Sequence, residues 1–464
     1  MARSRSLRQQ PDAPPAALYY LILAIFLFRS SLDNLLEKLQ FNVGSGRGIT
    51  LGAGLNLLII GIALFLVLKH ANRISWHNQI FGIAFLAFCA IMSLSSPDLF
   101  GATRLLLVLV SYQCAFMLPF FFVRSFKDAK PFLAIILYSS FIPSLAAIGQ
   151  ILVYAKSDPD FRLESTFTHP NIFAFYLLVI GAIICYRLAS PDFRDSAFKR
   201  LLLIGYSALL GIFLFYTKTR SAWFGATLLI FVYALFVNWR ALPVLLALPA
   251  VAIATPEIRQ RLLDATAPAE YIGNGVILNS YEWRRELWQD AITWIWQSPL
   301  SGHGGLGSFI QNSAKFFTLE TNGVFAHSVF IQLAFEVGII GPILFCAIFI
   351  AISFSFWSYY KYERHTVLIG ITCCIFYLAV DYSDNVLDYL AFNWYLYMLL
   401  GVLLASLRVY DELPYRRHVA SSHHRPLRYP TRISTADWKI RNSKVLAFGA
   451  PHAMLTHQAR RSRG

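Results

Sequence analysis

Leu51-Gly-Ala-Gly-Leu-Asn-Leu-Leu-Ile-Ile-Gly-Ile-Ala-Leu-Phe-Leu-Val-Leu68 is a run of 18 residues without a charged side chain. Ile80 to Ser96 and Pro131 to Ala155 are uncharged as well. An apolar stretch of about 17 to 25 residues is long enough to cross roughly 30 Å of hydrocarbon as a helix. A helix is required there because lipid offers no partner to backbone N–H and C=O groups. The whole chain has the same bias: hydrophobic residues make up 57%, charged residues 14%, and the mean hydropathy is +0.53. Soluble globular domains carry about 25% charged residues, so the composition excludes that class. The expected fold is all-α: a polytopic integral membrane protein of about twelve spans.

Outward from Leu51–Leu68, the apolar runs place spans near 16–32, 49–68, 78–96, 104–123, 131–154, 171–187, 201–217, 221–238, 241–256, 338–358, 366–381 and 389–407. Arg3, Arg5 and Arg8 before Ala16–Phe28 resemble the start of a signal peptide. The following RSSLDN lacks a small-residue cleavage site, so this run reads as the first anchor. Lys and Arg in short loops set orientation. With a cytoplasmic N-terminus, 27 Lys and Arg fall inside and 13 outside, and net charge divides as +19 against −4. Both termini are therefore expected in the cytoplasm. The overall charge of +15 follows from this topology and does not indicate nucleic-acid binding. Residues 1–407 form the membrane domain; 408–464 read as a basic, mostly disordered cytoplasmic tail, of a charge suited to anionic lipid. The six cysteines lie in apolar runs without CxxC spacing and read as small buried hydrophobes.

A helical outer loop, 257–326, is inserted between the ninth and tenth spans. In Tyr281–Gln297, Trp283, Leu287, Ala291 and Trp294/Ile295 repeat at helical spacing, Asn279 can cap the start and Ser298-Pro299 ends it. An interfacial helix accounts for four Trp residues, less well for the adjacent Arg284 and Arg285. Gly302, Gly304 and Gly307 match GxGxxG, but no strand precedes them, which argues against a dinucleotide site. A tight turn is the better reading, with backbone N–H groups available to a phosphate. His327 opens the next helical stretch at the membrane surface, which breaks near Gly338. Glu336, nine residues on, would lie about half a turn out of phase and about 13 Å away, so it should not orient His327 directly. A lone histidine is often structural. Arg220, between spans seven and eight, requires a partner or snorkels to water. Asn171 reads as a helix cap near His169.

Four blocks in order carry a resemblance: Phe167-Thr-His-Pro-Asn171; Thr219-Arg-Ser-Ala-Trp223; Arg284-Arg-Glu-Leu-Trp288 with Pro299-x-x-Gly302-x-Gly304; and His327-Ser328, followed after nine residues by Gly338-Ile-Ile-Gly341. The chain resembles the O-antigen ligase family, which includes polysaccharide polymerases. The resemblance implies a bacterial inner-membrane enzyme with its site on the periplasmic face. It would move a glycan from undecaprenyl diphosphate to an acceptor hydroxyl, on lipid A–core or on a lipid-linked saccharide, inverting the anomeric centre and using no metal or cofactor. By the resemblance, His327 is the general base, and Arg220 and Arg284 bind the diphosphate, with Arg285 a weaker candidate for that role. His169 and His303 are further candidates for lining the site. The H-[NSQ]-x9-G-x-x-G pattern and the absence of R-x10-G at the outer arginines lean to ligase; a polymerase is the alternative. A lipid-linked glycan flippase fits twelve spans, but the chain shows no internal repeat.

Overall fold

The computed structural model describes residues 14–42, 48–158, 161–193, 195–243, 270–272, 275–277, 280–317, 319 and 322–411. Among them, eight apolar helices are long enough to cross a membrane, and three more are apolar but shorter. The chain is a polytopic helical membrane protein. The ninth expected span, 241–256, lies almost wholly outside the described residues, as do Asn279 and the tail from residue 412.

The helices run α1 (Ala16–Phe28), α2 (Asp33–Lys38), α3 (Leu51–His70), α4 (Ile80–Ser93), α5 (Leu99–Met117) with a short continuation α6 (Pro119–Phe122), α7 (Phe126–Ser139), α8 (Phe141–Tyr154), α9 (Pro170–Ala189), α10 (Ala197–Thr217) and α11 (Arg220–Phe236). After the undescribed stretch come α12 (Ser280–Gln297), α13 (Ser308–Phe316), α14 (Val329–Val337), α15 (Ile340–Trp357), α16 (Arg364–Asp381) and α17 (Leu390–Leu407). Two three-residue hairpins, β1 (Gln40–Asn42) with β2 (Gly48–Thr50) and β3 (Glu270–Ile272) with β4 (Gly275–Ile277), are antiparallel.

The centre of the bundle is α17, all of whose residues are buried. Its sequence is apolar on every face, the pattern of a helix enclosed by others. It packs on α5, α9 and α7. At Gly401 a Cβ would stand 2.2 Å from the carbonyl oxygen of Phe116, so only glycine permits this approach to α5. Polar side chains hold the interior together without lipid contact. Trp394 Nε1 donates to Ser111 Oγ at 2.9 Å, and Tyr112 OH donates to the carbonyl of Leu387 at 2.8 Å. By contrast α10 is mostly uncovered, with Leu201, Leu202, Ile204 and Ile212 exposed, as a lipid-facing helix requires.

The fifth span is broken at Ser140 into α7 and α8. Pro143 has no N–H for the carbonyl four residues earlier, that of Ser139. Ser30 Oγ supplies the missing donor at 2.8 Å, joining the end of α1 to the break. The tenth span, α15, is preceded by a separate short helix: α14 ends at Val337 and α15 starts at Ile340. Gly338 between them has φ +87°, and a Cβ there would meet the carbonyl oxygen of Leu300 at 2.5 Å. The break is thus fixed by the glycine-rich segment packed against it.

Outside the spans, α12, α13 and α14 form a second core around Leu287, Ala291, Ile295, Phe309 and Phe335, with Trp283, Trp288 and Trp294 on its edge. The tryptophan stripe of α12 therefore packs largely on protein, although Trp296 remains exposed.

Candidate functional site

The site end of the bundle is built from three connections. The first is the segment before α9, pinned by Thr166 Oγ1 donating to the carbonyl of Ser30 at 2.7 Å and by Leu163 N–H to that of Tyr216 at 2.9 Å. The second is the hairpin between α10 and α11, which turns at Lys218 with φ +53°. The third is the loop between α16 and α17, Tyr382 to Tyr389.

A continuous polar network joins them. Arg162 Nη2 donates to Asn171 Oδ1 at 2.8 Å, and Arg162 Nε to the carbonyl of Thr217 at 3.0 Å. Thr219 Oγ1 donates to the same Asn171 oxygen at 3.0 Å. Asn171 Nδ2 donates to Asp384 Oδ2 at 2.9 Å, and Tyr389 OH to Asp384 Oδ1 at 2.7 Å. One residue before Asp384, the carbonyl of Ser383 accepts from Arg284 Nη1 at 2.7 Å. Arg220 begins α11 directly after Thr219, and its side chain is exposed at this end. The blocks around Asn171, Arg220 and Arg284, far apart in sequence, are thereby brought to one place. Arg285, next to Arg284 on α12, is exposed.

His327 stands beside them. Its ring makes an edge contact with that of Trp283, centroids 5.7 Å apart, and Trp288 Nε1 donates to the carbonyl of Ala326 at 2.7 Å. Helix α12 thus carries Arg284 and also fixes the segment holding His327. The backbone of His327 is left-handed, φ +50°, an uncommon state for a non-glycine residue and one that concentrates at functional positions. Helix α14 starts only at Val329, so His327 lies before it. Partial burial, then the Arg284 guanidinium, hold its imidazole below the ordinary 6.5; Asp384 pulls the other way and His169 adds to the lowering. At neutral pH the ring is therefore uncharged, with a lone pair available to accept a proton.

His169 is the N-cap of α9: its Nδ1 accepts from Asn171 N–H at 3.1 Å. The expected cap, Asn171, sits two residues inside and spends its side chain on the network. His169 also stacks on Tyr389, centroids 6.4 Å apart. Desolvation and Arg162 lower its pKa, opposed by Asp384. His303 is placed elsewhere, in the aromatic core against Trp294 and Phe335. Its Nε2 lies 2.6 Å from the carbonyl of Trp294, and since a carbonyl only accepts, that nitrogen carries the proton.

Two further expectations meet the geometry here. Amides of the glycine-rich turn are used within the protein: His303 N–H bonds the carbonyl of Phe335 at 2.8 Å, Gly305 N–H that of Glu336 at 3.0 Å, and Leu306 N–H the Ser93 hydroxyl at 3.2 Å. They face α4 and α14, so they do not form a phosphate cradle. Glu336 is fully buried and points its carboxyl at the amide of Phe309, 3.4 Å away. Burial raises its pKa to about 8.

Sequence reading missed Asp384, Tyr389 and Arg162. Their signal was weak but present: YSDNVLDY, residues 382–389, is a polar connection carrying two carboxylates between spans otherwise poor in charge.

No curated protein matches the chain. Residues 205–346 match the family model described as O-antigen ligase. The match takes in Arg220, Arg284, Arg285, His303 and His327, while His169 and Asp384 lie outside it. The matched segment, about a third of the chain, is what is similar to the O-antigen ligase family.

Proposed function

We propose that this protein is a glycosyltransferase that moves a glycan from a polyprenyl diphosphate, in bacteria undecaprenyl diphosphate, to an acceptor hydroxyl at the periplasmic face of the inner membrane. The preferred acceptor is lipid A–core, which makes it an O-antigen ligase. The observation that carries this reading is the polar network from Arg162 to Arg284, with His327 at its edge against Trp283.

The acceptor oxygen forms a bond to the anomeric carbon as that carbon's bond to the diphosphate breaks. The electron pair leaves on the diphosphate, and the hydroxyl proton passes to His327. Direct displacement inverts the anomeric centre. Arg220 and Arg284, with Arg285 alongside, neutralise the charge that grows on the leaving diphosphate. Guanidinium suits this because it stays charged and donates two parallel hydrogen bonds. Groups already held in place stabilise developing charge without reorganising during reaction. Arg284 is held by Ser383. His169 lines the site beside Tyr389.

Purified protein incubated with a lipid-linked glycan and lipid A–core tests the reading. A covalently extended lipid A–core supports it; unchanged linkages point to transport instead. Deletion of the gene separates ligase from polymerase. Loss of all core-linked O-antigen marks a ligase, whereas a single remaining unit on the core marks a polymerase.

A further inference from the structure

A cavity of about 630 Å3 lies between α3, α5, α14 and the loop before α17, and the residues that line it exclude His327 and Arg220, Arg284 and Arg285. Two features set it apart. Its charged lining is acidic: Glu37, Asp98, Glu336 and Asp388 stand against one cation, Arg104. Its buried amides also have unused acceptors. Asn56 and Asn385, each 4% exposed, line the cavity, and neither Oδ1 has a hydrogen-bond partner among the described residues.

For Asn385 the reason is explicit. Its amide nitrogen donates to both Gln332 Oε1 and Asp388 Oδ2, and its backbone N–H to Asp384 Oδ1. These contacts leave the amide oxygen as an acceptor that lacks a donor. Asn56 presents the same need from within α3, a helix otherwise apolar at this depth. A buried acceptor left without a donor is destabilising, so two at one cavity point to a ligand that brings donors. The remaining walls, Leu57, Leu105, Val108 and Leu333, are apolar.

We propose that this cavity binds the acceptor glycolipid, with sugar hydroxyls donating to Asn56, Asn385 and the neighbouring carboxyls and an acyl chain lying along α3 and α5. This rests on the glycosyl-transfer reading above and adds to it where the second substrate enters. The acidic lining separates this subsite from the arginine side, where the diphosphate is placed. The cavity adjoins the reacting group in sequence: Phe325 and Gln332, which line it, lie on either side of His327.

The test uses full-length protein in nanodiscs, with donor saturating and acceptor varied. Asn56→Leu removes an oxygen that makes no hydrogen bond in the protein, so it should elute as one species and bind donor as the wild type does. The acceptor KM should rise about tenfold, the loss of one hydrogen bond, with kcat at saturating acceptor within about twofold. Ala53→Phe, which places a large side chain in the cavity, should raise acceptor KM further. Unchanged acceptor KM in both folded variants overturns the proposal, as does a fall in kcat alone. If the wild type transfers nothing, the transfer reading fails by itself. Binding of dephosphorylated lipid A–core without donor then decides the cavity: binding lost in Ala53→Phe upholds it, and no binding overturns it.

Discussion

Two regions of opposite character meet at one short loop. On one side of Tyr382–Tyr389, Asp384 is enclosed by Asn171 and Tyr389 within reach of Arg162, Arg284 and His327. On the other, the next residue, Asn385, turns to Gln332 and Asp388 and faces an acidic cavity. The lesson is that a single carboxylate serves different ends according to what surrounds it. Asp384 is held by hydrogen bonds from Asn171 and Tyr389. Burial, then the charge of Asp384, raises the pKa of Asp388 to about 7, and burial, with the charge of Asp388 adding to it, raises that of Glu336 to about 8. On the proposed function, one side holds the diphosphate and the other receives hydroxyl donors.

The sharpest way to break this contrast is at His327. His327→Ala should lower transfer by about 100-fold to 10,000-fold, the usual weight of a general base, without loss of membrane insertion. Full activity in a reconstituted assay would remove the base assignment. Arg284→Lys keeps the charge but loses the planar fork, so turnover should fall by about 10-fold to 100-fold. Near-normal turnover would mean that charge alone suffices on the basic side.

Asp384→Asn tests the balance directly. Asp384 raises the pKa of His327 against the lowering by burial and Arg284. The wild-type rate should fall with acidification through a pKa below 6.5. Removing the carboxylate moves that acid limb to lower pH, with a smaller loss of rate than Arg284→Lys. A limb that stays in place would show that Asp384 acts on the network and not on His327. The smallest effect belongs to Glu336→Gln. Folded Glu336 holds its proton to about 8, whereas an unfolded glutamate releases it near 4.5. The folded state therefore loses stability as pH rises between those values. Gln cannot ionise, so this part of the slope should vanish from thermal unfolding in detergent; an unaltered slope would show that Glu336 is not the source.

Much of the bundle was legible because lipid imposes a strict rule on local sequence: backbone groups must pair within a helix, and apolar runs of the right length follow. The position of the break near Gly338 was legible from the glycine itself, whereas what fixes it is the carbonyl of Leu300 packed against it. The break at Ser140 was not legible, although Pro143 was visible, because it depends on Ser30 from another span reaching the carbonyl of Ser139. Nor was the role of the tryptophans of α12. Trp residues suit both a membrane interface and a protein core, and only packing against Phe309 and Phe335 distinguishes them.

For the candidate site, the types and order of Arg220, Arg284 and His327 could be read from short motifs. The separation of His303 from them could not, since it follows from a ring packed on Phe335 and Trp294. The sequence alone determined the class of fold, the approximate spans and the family resemblance, because hydropathy and motif spacing are properties of neighbouring residues. Tertiary structure decided which polar groups share a partner. Asn171 and Asp384 are 213 positions apart, yet one hydrogen bond joins them, and contact at that separation depends on how all the intervening helices pack.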